Sequence, residues 1–246
     1  MKNRQIEIDE LLSASAKDIQ RARLIFHDDK SVDVYNAKLN SNFHCRHSTL
    51  ENLLENRQYF PADIIKLHDH EVFVDCGALD GYTATCFALE VNGEYDHIFS
   101  FEPHPESYKF TKMRLKFASI RDCTVYQLGV LDRDGEVFIA DNGIVSGSRI
   151  SDSGVTKVNV ISLDSCLFES KHYPTFIKMD IEGAELNALI GAKRIIARNH
   201  PKLAISVYHN DKDIWEIPLW IKDNFPSYRI FLRQHSNVYE TVCYAI

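Results

Sequence analysis

Residues 71–83 read EVFVDCGALDGYT, and this stretch decides the fold class. An apolar run ends at Asp75-Cys76, and the glycines Gly77 and Gly81 separate it from a helical pattern at 82–90. A strand followed by a glycine-containing loop and then a helix is typical of an open parallel sheet. Ligands bind such sheets outside the carboxyl ends of the strands, so this loop is a candidate binding loop. A tight strand-to-helix turn without a ligand is the alternative.

The same alternation of strand and helix patterns continues along the chain. The remaining predicted strands are 97–101, 123–130, 175–179 and 202–208, with two further strand-like runs at 135–140 and 158–161. The predicted helices are 105–118, 184–197 and 217–225, with Pro105 and Pro218 in their first turns. A terminal antiparallel hairpin is predicted at 228–232 and 238–244. This pattern predicts one α/β domain with a mostly parallel sheet.

The first 60 residues contain neither glycine nor proline, and we predict that they are helical. Ser48 followed by Glu51 resembles a capping box that opens a helix running toward Pro61. Four apolar residues upstream fall on one helical face: Ile8, Leu12, Ile19 and Phe26. We therefore divide the chain into a helical N-terminal extension or cap, 1–70, and a main domain, 71–246.

Composition excludes several classes of protein. The 246 residues are 45% hydrophobic and 26% charged, with a net charge of −7, which is typical of a globular protein. No basic face is visible, so we expect no nucleic-acid partner. Acidic residues stand where a signal peptide needs an apolar run, which predicts a cytoplasmic protein without membrane insertion. Six cysteines without a Cys-x-x-Cys pair favour free thiols.

A second candidate residue follows the second predicted strand. Glu102 stands 25 residues after Gly77, in the stretch FEPHP. A carboxylate at this position is placed to accept the ribose hydroxyls of a nucleoside, although an acid at a helix start is the alternative. The spacing Gly77-x-x-x-Gly81 departs from the dinucleotide fingerprint. Asp75 would repel a pyrophosphate but suits the ammonium group of S-adenosylmethionine, directly or through water.

Charged residues also follow the fourth and fifth main strands. Lys178 interrupts an apolar strand and projects to the same side as Asp180, so the two are predicted either to form a structural ion pair or to bind substrate or cofactor. Glu182 lies at the same carboxyl edge, and His209 is our candidate general base. Four oxygen-bearing residues form an alternative Mg²⁺ site: Asp180, Glu182, Asn210 and Asp211.

Five ordered stretches resemble the FkbM family of S-adenosylmethionine-dependent methyltransferases: 73–83 (FVDCGALDGYT), 101–105 (FEPHP), 128–135 (LGVLDRDG), 177–191 (IKMDIEGAELNALIG) and 201–213 (PKLAISVYHNDKD). The C-terminal stretch 228–244 is similar to the ending of this family. The resemblance covers 71–246. It implies a class I methyltransferase fold, with a seven-stranded sheet whose last strand is antiparallel.

The resemblance also implies the cofactor, the reaction and the roles of residues. The cofactor is S-adenosylmethionine, and the reaction is O-methylation of a hydroxyl on a sugar, polysaccharide or natural product. Asp75, Gly77, Asp80 and Gly81 are expected at the methionine part, Glu102 at the ribose, and Leu128, Gly129 and Val130 at the adenine. The other expected cofactor contacts are Ala78, Thr83, Pro103 and Asp180. The positions and chemistry of the side chains described above, and not the resemblance, give the expected catalytic set of His209, Asp180, Glu182 and Lys178.

Further expectations concern the substrate side and the alternatives. Asn142, Ser146 and Ser148 are expected to close over the site. This sequence departs from the family pattern at Tyr82 and at 233–236 (RQHS). Both departures affect the expected contacts with the substrate more than those with the cofactor. The alternatives are a nucleoside-binding scaffold without methyl transfer, an N-methyltransferase acting on a small amine, and an NAD-dependent oxidoreductase. The expected partner is a small-molecule or saccharide acceptor, and the N-terminal helices form either a lid or a homodimer interface.

Overall fold

The computed structural model describes residues 8, 10–44, 50–140, 149–150 and 154–246. Two compact units are formed, one by residues 65–206 and the other by the described part of 1–64 together with 207–246. The helices are α1 (Ala16–Ile25), α2 (Asp29–His44), α3 (Tyr82–Glu90), α4 (Pro105–Phe117), α5 (Leu163–Leu167), α6 (Glu185–Ile190), α7 (Lys193–Asn199) and α8 (Asp213–Asn224). A 3₁₀ turn covers Glu51–Leu53.

Two sheets organise the strands. The strands are β1 (Val72–Cys76), β2 (His97–Phe101), β3 (Cys123–Tyr126), β4 (Gly129–Val130), β5 (Gly135–Ile139), β6 (Thr156–Ile161), β7 (Phe176–Met179), β8 (Lys202–Ser206), β9 (Ile230–Gln234) and β10 (Thr241–Ala245). The main sheet has the order β3-β2-β1-β7-β8-β10-β9, and the small sheet has the order β4-β6-β5. The first five strands of the main sheet pair in parallel, and β9 pairs antiparallel with β10. This confirms the predicted fold class.

The central strands are buried because helices cover them, and their sequences are apolar at nearly every position. Every residue of β1 is buried, as is every residue of β7. Phe73 of β1 stacks on Phe87 of α3 with ring centroids 4.5 Å apart and contacts Phe176 of β7 at 5.2 Å. Continuous apolar strands of this kind are expected where a parallel sheet is covered on both faces.

Two predicted elements are each divided in the structure. The predicted strand 123–130 ends at Tyr126, and β4 then pairs with β6 in the small sheet. The predicted helix 184–197 is interrupted at Gly191, where a Cβ atom would lie 2.0 Å from the carbonyl oxygen of Leu131. That close approach requires glycine, and it lies at the junction of α6 and α7.

Two further predictions about helices are wrong. Pro218 lies in the interior of α8, which begins five residues earlier at Asp213, so it does not occupy the first turn. The helix predicted from Ser48 is a single 3₁₀ turn in the described residues, and Ser48 itself lies outside them. The chain becomes extended at Leu54, which bridges Gln234, while the amide of Glu55 donates to the Gln234 carbonyl at 2.7 Å.

The N-terminal helices of the second unit pack on its C-terminal elements. Phe26, at the end of α1, forms a parallel bridge with Ile230 of β9. Arg233 of β9 is buried and donates to the carboxylates of Asp28 and Asp63, with nitrogen–oxygen distances of 2.6 and 2.7 Å. These contacts join segments 170 to 205 residues apart in the sequence. The predicted division at residue 70 stays a prediction.

Candidate functional site

Three loops of the unit 65–206 meet at the carboxyl edge of the sheet. The amides of Gly77 and Ala78, which follow β1, both donate to the carbonyl of Phe101 at the end of β2, at 3.0 Å each. The amide of Asp180, which follows β7, donates to the carbonyl of Cys76 at 3.1 Å. Backbone hydrogen bonds therefore fix the three loops that the sequence identifies as the binding edge.

Glu102 joins the loop after β1 to the loop after β2. Its Oε2 accepts the amide of Leu79 and its Oε1 accepts the amide of His104, both at 2.9 Å. Burial raises the pKa of Glu102 to about 7, although the two amides oppose this shift. A carboxylate has about four acceptor positions, so two amides leave acceptor capacity for hydroxyl groups.

The two glycines of the first loop are required by the protein's own backbone. Gly77 has a φ of +81°, and a Cβ atom there would lie 1.9 Å from the Asp180 carbonyl oxygen. Gly81 has a φ of +79°, and a Cβ atom there would lie 3.3 Å from the backbone of Thr111 in α4. Neighbouring loop and helix atoms therefore occupy the space that a side chain would need at both positions.

A buried ion pair lies beneath this loop. Asp75 and Lys178 are direct partners in the parallel β1–β7 register, and the ammonium lies 2.9 Å from Asp75 Oδ1. Both side chains are almost fully buried. Lys178 also donates to the carbonyls of Cys76 and Gly77, at 3.2 and 2.7 Å. An ammonium group of the protein therefore already lies at Asp75, where we predict the ammonium group of the cofactor, directly or through water.

The electrostatics of this pair follow from its burial. Burial raises the pKa of Asp75, and the Lys178 ammonium partly offsets that effect. Burial lowers the pKa of Lys178, but the carboxylates of Asp75 and Asp180 outweigh this and keep the ammonium charged. The sequence predicted a pairing of Lys178 with Asp180 by strand spacing. The cross-strand partner was missed because register cannot be derived from one strand.

Asp80 connects α3 to α4. Its Oδ1 accepts the amide of Tyr82 at 3.0 Å, in the first turn of α3. Its carboxylate forms an ion pair with Arg114, whose Nε also donates to the Asp80 carbonyl at 2.9 Å. Asp80 therefore already has protein partners, apart from any cofactor group that it contacts. Among the other predicted residues, Ala78 is buried and Thr83 is half-buried.

The predicted adenine-flanking segment lies against the loop after β2. A Cβ atom on Gly129 would lie 3.6 Å from Cβ of Pro103 and 3.1 Å from the Val160 side chain. Leu128 is half-buried and Val130 is buried. His104 in the same region was not singled out from the sequence. Its Nδ1 is buried and has no hydrogen-bond partner among the described residues.

The predicted catalytic residues fall in different compact units. Asp180 and Glu182 follow β7 and are half-buried, and Glu182 has a φ of +60°. His209 belongs to the other unit, where it is half-buried, and Asn210 next to it donates its side-chain amide to Asp213. Asn142, Ser146 and Ser148, which we expected to close over the site, lie outside the described residues.

A family model described as the methyltransferase FkbM domain matches residues 75–239. The chain belongs to the FkbM methyltransferase family. This match covers about two thirds of the chain, and it includes the loops after β1, β2 and β7 as well as His209. The resemblance stated from the sequence motifs is therefore confirmed. A comparison with curated proteins gives no match.

Several solved structures are similar to this FkbM-family chain. Methyltransferase FkbM from Methylobacillus flagellatus KT is 28% identical with a TM-score of 0.81, over 96% of this chain and 60% of that one. This chain thus spans about 60% of the length of that relative. Aeropyrum pernix fibrillarin, solved with bound S-adenosyl-L-methionine, is 10% identical with a TM-score of 0.48, over 74% of this chain and 70% of that one. The comparisons lend no support to a divalent cation.

Two structural findings bear on the remaining expectations. In the described part of the chain, no helix is both long enough and apolar enough to cross a membrane. The cysteines that the structure describes are free thiols: Cys76, Cys86, Cys123, Cys166 and Cys243.

Proposed function

We propose that this FkbM-family chain transfers a methyl group from S-adenosylmethionine to a hydroxyl oxygen of a sugar, polysaccharide or natural product. The observation that supports cofactor binding best is Glu102, a buried carboxylate at the end of β2. It is held by two backbone amides and retains acceptor capacity for the two ribose hydroxyls. The unpartnered Nδ1 of His104, two residues away, supports the same placement because buried polar atoms normally have a partner.

Several residues would hold the cofactor. Glu102 would accept the ribose hydroxyls, and Leu128, Gly129 and Val130 would flank the adenine. Pro103, Ala78, Thr83 and Asp180 would complete its surroundings. When bound, the cofactor supplies an electrophilic methyl group on a sulfonium. We assign Asp75 and Lys178 to positioning, because each is buried and engaged with the other.

The acceptor side of the reaction needs a base and an orienting group. A hydroxyl oxygen becomes a good nucleophile as its proton is removed, and histidine is suited to this near neutral pH. We propose His209 as that base, with Asp180 and Glu182 orienting the acceptor. An amine acceptor, which needs no strong base, is the alternative reaction, and a non-catalytic nucleoside-binding scaffold is the alternative from another class. A homodimer through the N-terminal helices and a cytoplasmic location are also proposals.

Thermal unfolding with S-adenosylhomocysteine tests the cofactor, with NAD⁺ as the control ligand. At about 100 times the dissociation constant, one site stabilises the folded state by about 2.7 kcal/mol. For a chain of this size we expect a rise in Tm of roughly 5–11 °C with S-adenosylhomocysteine alone. No rise, or a rise with NAD⁺ only, would exclude the proposed cofactor.

A methyl-transfer assay of the same purified chain tests His209 as the general base. Hydroxyl and amine acceptors are screened with a labelled methyl donor. His209→Ala is expected to lower turnover on a hydroxyl acceptor by about 10²–10⁴-fold while the shift with S-adenosylhomocysteine is retained. His70→Ala, at an exposed histidine, is the matched control and should leave both unchanged. Normal turnover in His209→Ala would remove this residue from the mechanism.

Binding of S-adenosylhomocysteine without methyl transfer to any acceptor would favour the nucleoside-binding scaffold. Light scattering of the full chain tests the homodimer.

A further inference from the structure

Helix α4 exposes three large apolar side chains and buries few residues of its own. The residues that it buries are Ser107, Thr111 and Leu115. By contrast, Phe117 is 94% exposed, Met113 is 65% exposed and Phe110 is 53% exposed. Their spacing of three and seven residues puts these three side chains on one helical face. One side of the exposed surface of α4 is therefore apolar.

The neighbouring helix α3 carries a second pair of exposed apolar side chains. Tyr82 and Leu89 are seven residues apart and both are largely exposed. The guanidinium of Arg114, on α4, lies 5.8 Å from the centre of the Tyr82 ring and joins the two helices. We call these five residues the α3–α4 face: Tyr82, Leu89, Phe110, Met113 and Phe117. Exposed apolar side chains on two neighbouring helices are a candidate interaction surface.

The charge beside the α3–α4 face is opposite to that of the whole chain. Lys109, Lys112 and Lys116 are exposed on α4, where Glu106 is the one acidic residue, whereas the chain carries a net charge of −7. A symmetric contact with a second copy would bring these lysines against their own counterparts, and like charges in contact are unfavourable. The composition therefore favours an anionic partner.

We propose that the α3–α4 face docks this chain on an anionic lipid surface. Phenylalanine, methionine and leucine side chains bordered by lysines are the composition of helices that lie in a membrane interface. The apolar side chains enter the boundary of the acyl region, and the lysines contact the phosphate headgroups. This peripheral docking needs no spanning helix, and it does not depend on the proposed methyl transfer.

Vesicle sedimentation of the full chain tests the proposal. Vesicles of phosphatidylcholine alone are compared with an equal mixture of phosphatidylcholine and phosphatidylglycerol, and the chain is expected to sediment only with the mixture. Lys109→Glu combined with Lys112→Glu and Lys116→Glu is expected to weaken partitioning by about a hundredfold or more. Phe110→Ser combined with Phe117→Ser is expected to weaken it by about tenfold or more. Added salt should weaken the binding of the unsubstituted chain.

Matched surface variants distinguish an effect of the α3–α4 face from a general effect of net charge or of exposed apolar groups. Lys17→Glu with Lys66→Glu and Lys193→Glu makes the same change of charge elsewhere, and Leu24→Ser with Val155→Ser removes exposed apolar groups elsewhere. Both sets should sediment as the unsubstituted chain does. Equal partitioning on the two lipid compositions, or unchanged sedimentation of the α4 variants, would overturn the proposal. A dimer in light scattering that the phenylalanine substitutions dissociate would assign the face to self-association instead.

Discussion

Glu102 is the residue on which the candidate site depends most, because two requirements meet in its carboxylate. It holds two backbone amides, which fixes the loops after β1 and β2, and in the proposed function it also accepts the ribose hydroxyls of the cofactor. Burial opposes the ionised form and raises the pKa to about 7. Its protonation state therefore changes in the range where most proteins work.

The pH dependence of this carboxylate gives a prediction for stability and for binding. In the unfolded chain the pKa is about 4.5, so between about 4.5 and 7 the folded state binds more protons than the unfolded state. The contribution of Glu102 to the free energy of unfolding therefore falls as pH rises through this window. Binding of S-adenosylhomocysteine should show the opposite trend, because the ionised carboxylate accepts both ribose hydroxyls. Each pH unit below about 7 should weaken affinity by up to about tenfold.

Calorimetric titration of S-adenosylhomocysteine across this range measures the effect directly. Glu102→Gln keeps the shape of the side chain but removes its titration, so its affinity should be weaker and flat through the same window. A flat profile in the unsubstituted chain would show that Glu102 does not contact the ribose as an anion.

At the scale of single residues, the sequence predicted where candidate site residues lie better than it predicted which side chains they contact. Glu102 was predicted because it stands at the end of the second strand, 25 residues after Gly77, where a carboxylate can accept ribose hydroxyls. The partner of Asp75 was not predicted, because Lys178 lies on a strand about 100 residues away and register depends on the folded sheet. His104 gave no signal in the sequence, because only burial reveals that its Nδ1 lacks a partner.

The elements were predicted accurately where local pattern determines them. The bounds of β2 and α3 agree with the prediction, because glycine, aspartate or proline residues stand close to the ends of each. The run 123–130 was predicted as one strand, and its division into β3 and β4 depends on pairing with β6. Tertiary contact also ends α6 at Gly191. Local propensity contains no information about either contact.

The pairing of β1 with β7 through Asp75 and Lys178 gives a prediction at the scale of elements. Lys178→Met leaves a buried carboxylate without its ammonium and removes the donor from two loop carbonyls, which should lower the free energy of unfolding by about 3–5 kcal/mol. Combining it with Asp75→Asn should recover part of this loss, because the isolated charge is then gone. Urea denaturation measures both.

A matched core variant distinguishes loop positioning from general destabilisation. Leu203→Ala truncates a fully buried residue of β8 and should cost a similar 2–5 kcal/mol. Lys178→Met is expected to weaken S-adenosylhomocysteine affinity in addition, whereas Leu203→Ala should leave it unchanged. Equal affinities in the two variants would assign Lys178 a purely structural role.

At the scale of the whole chain, the N-terminal residues share a core with the C-terminal ones. Val34 and Tyr35 of α2 are fully buried, in the same compact unit as β9 and β10. The sequence predicted helices here but not their packing, because the apolar pattern shows which face is buried and not what buries it. Arg233 was considered from the sequence as a position for substrate contacts. In the structure it is buried and paired with Asp28 and Asp63.

This pairing predicts that β9 and the N-terminal segment unfold together. Arg233→Met removes both ion pairs and the bond to the Leu232 carbonyl, and it should lower the free energy of unfolding by about 2–4 kcal/mol because the two carboxylates are partly exposed. Arg229→Met, at an exposed arginine just before β9, should stay within about 0.5 kcal/mol. Hydrogen exchange should show α2 and β9 losing protection to the same extent in Arg233→Met. Loss of protection confined to α2, with β9 unchanged, would instead indicate that the N-terminal residues are a separable cap.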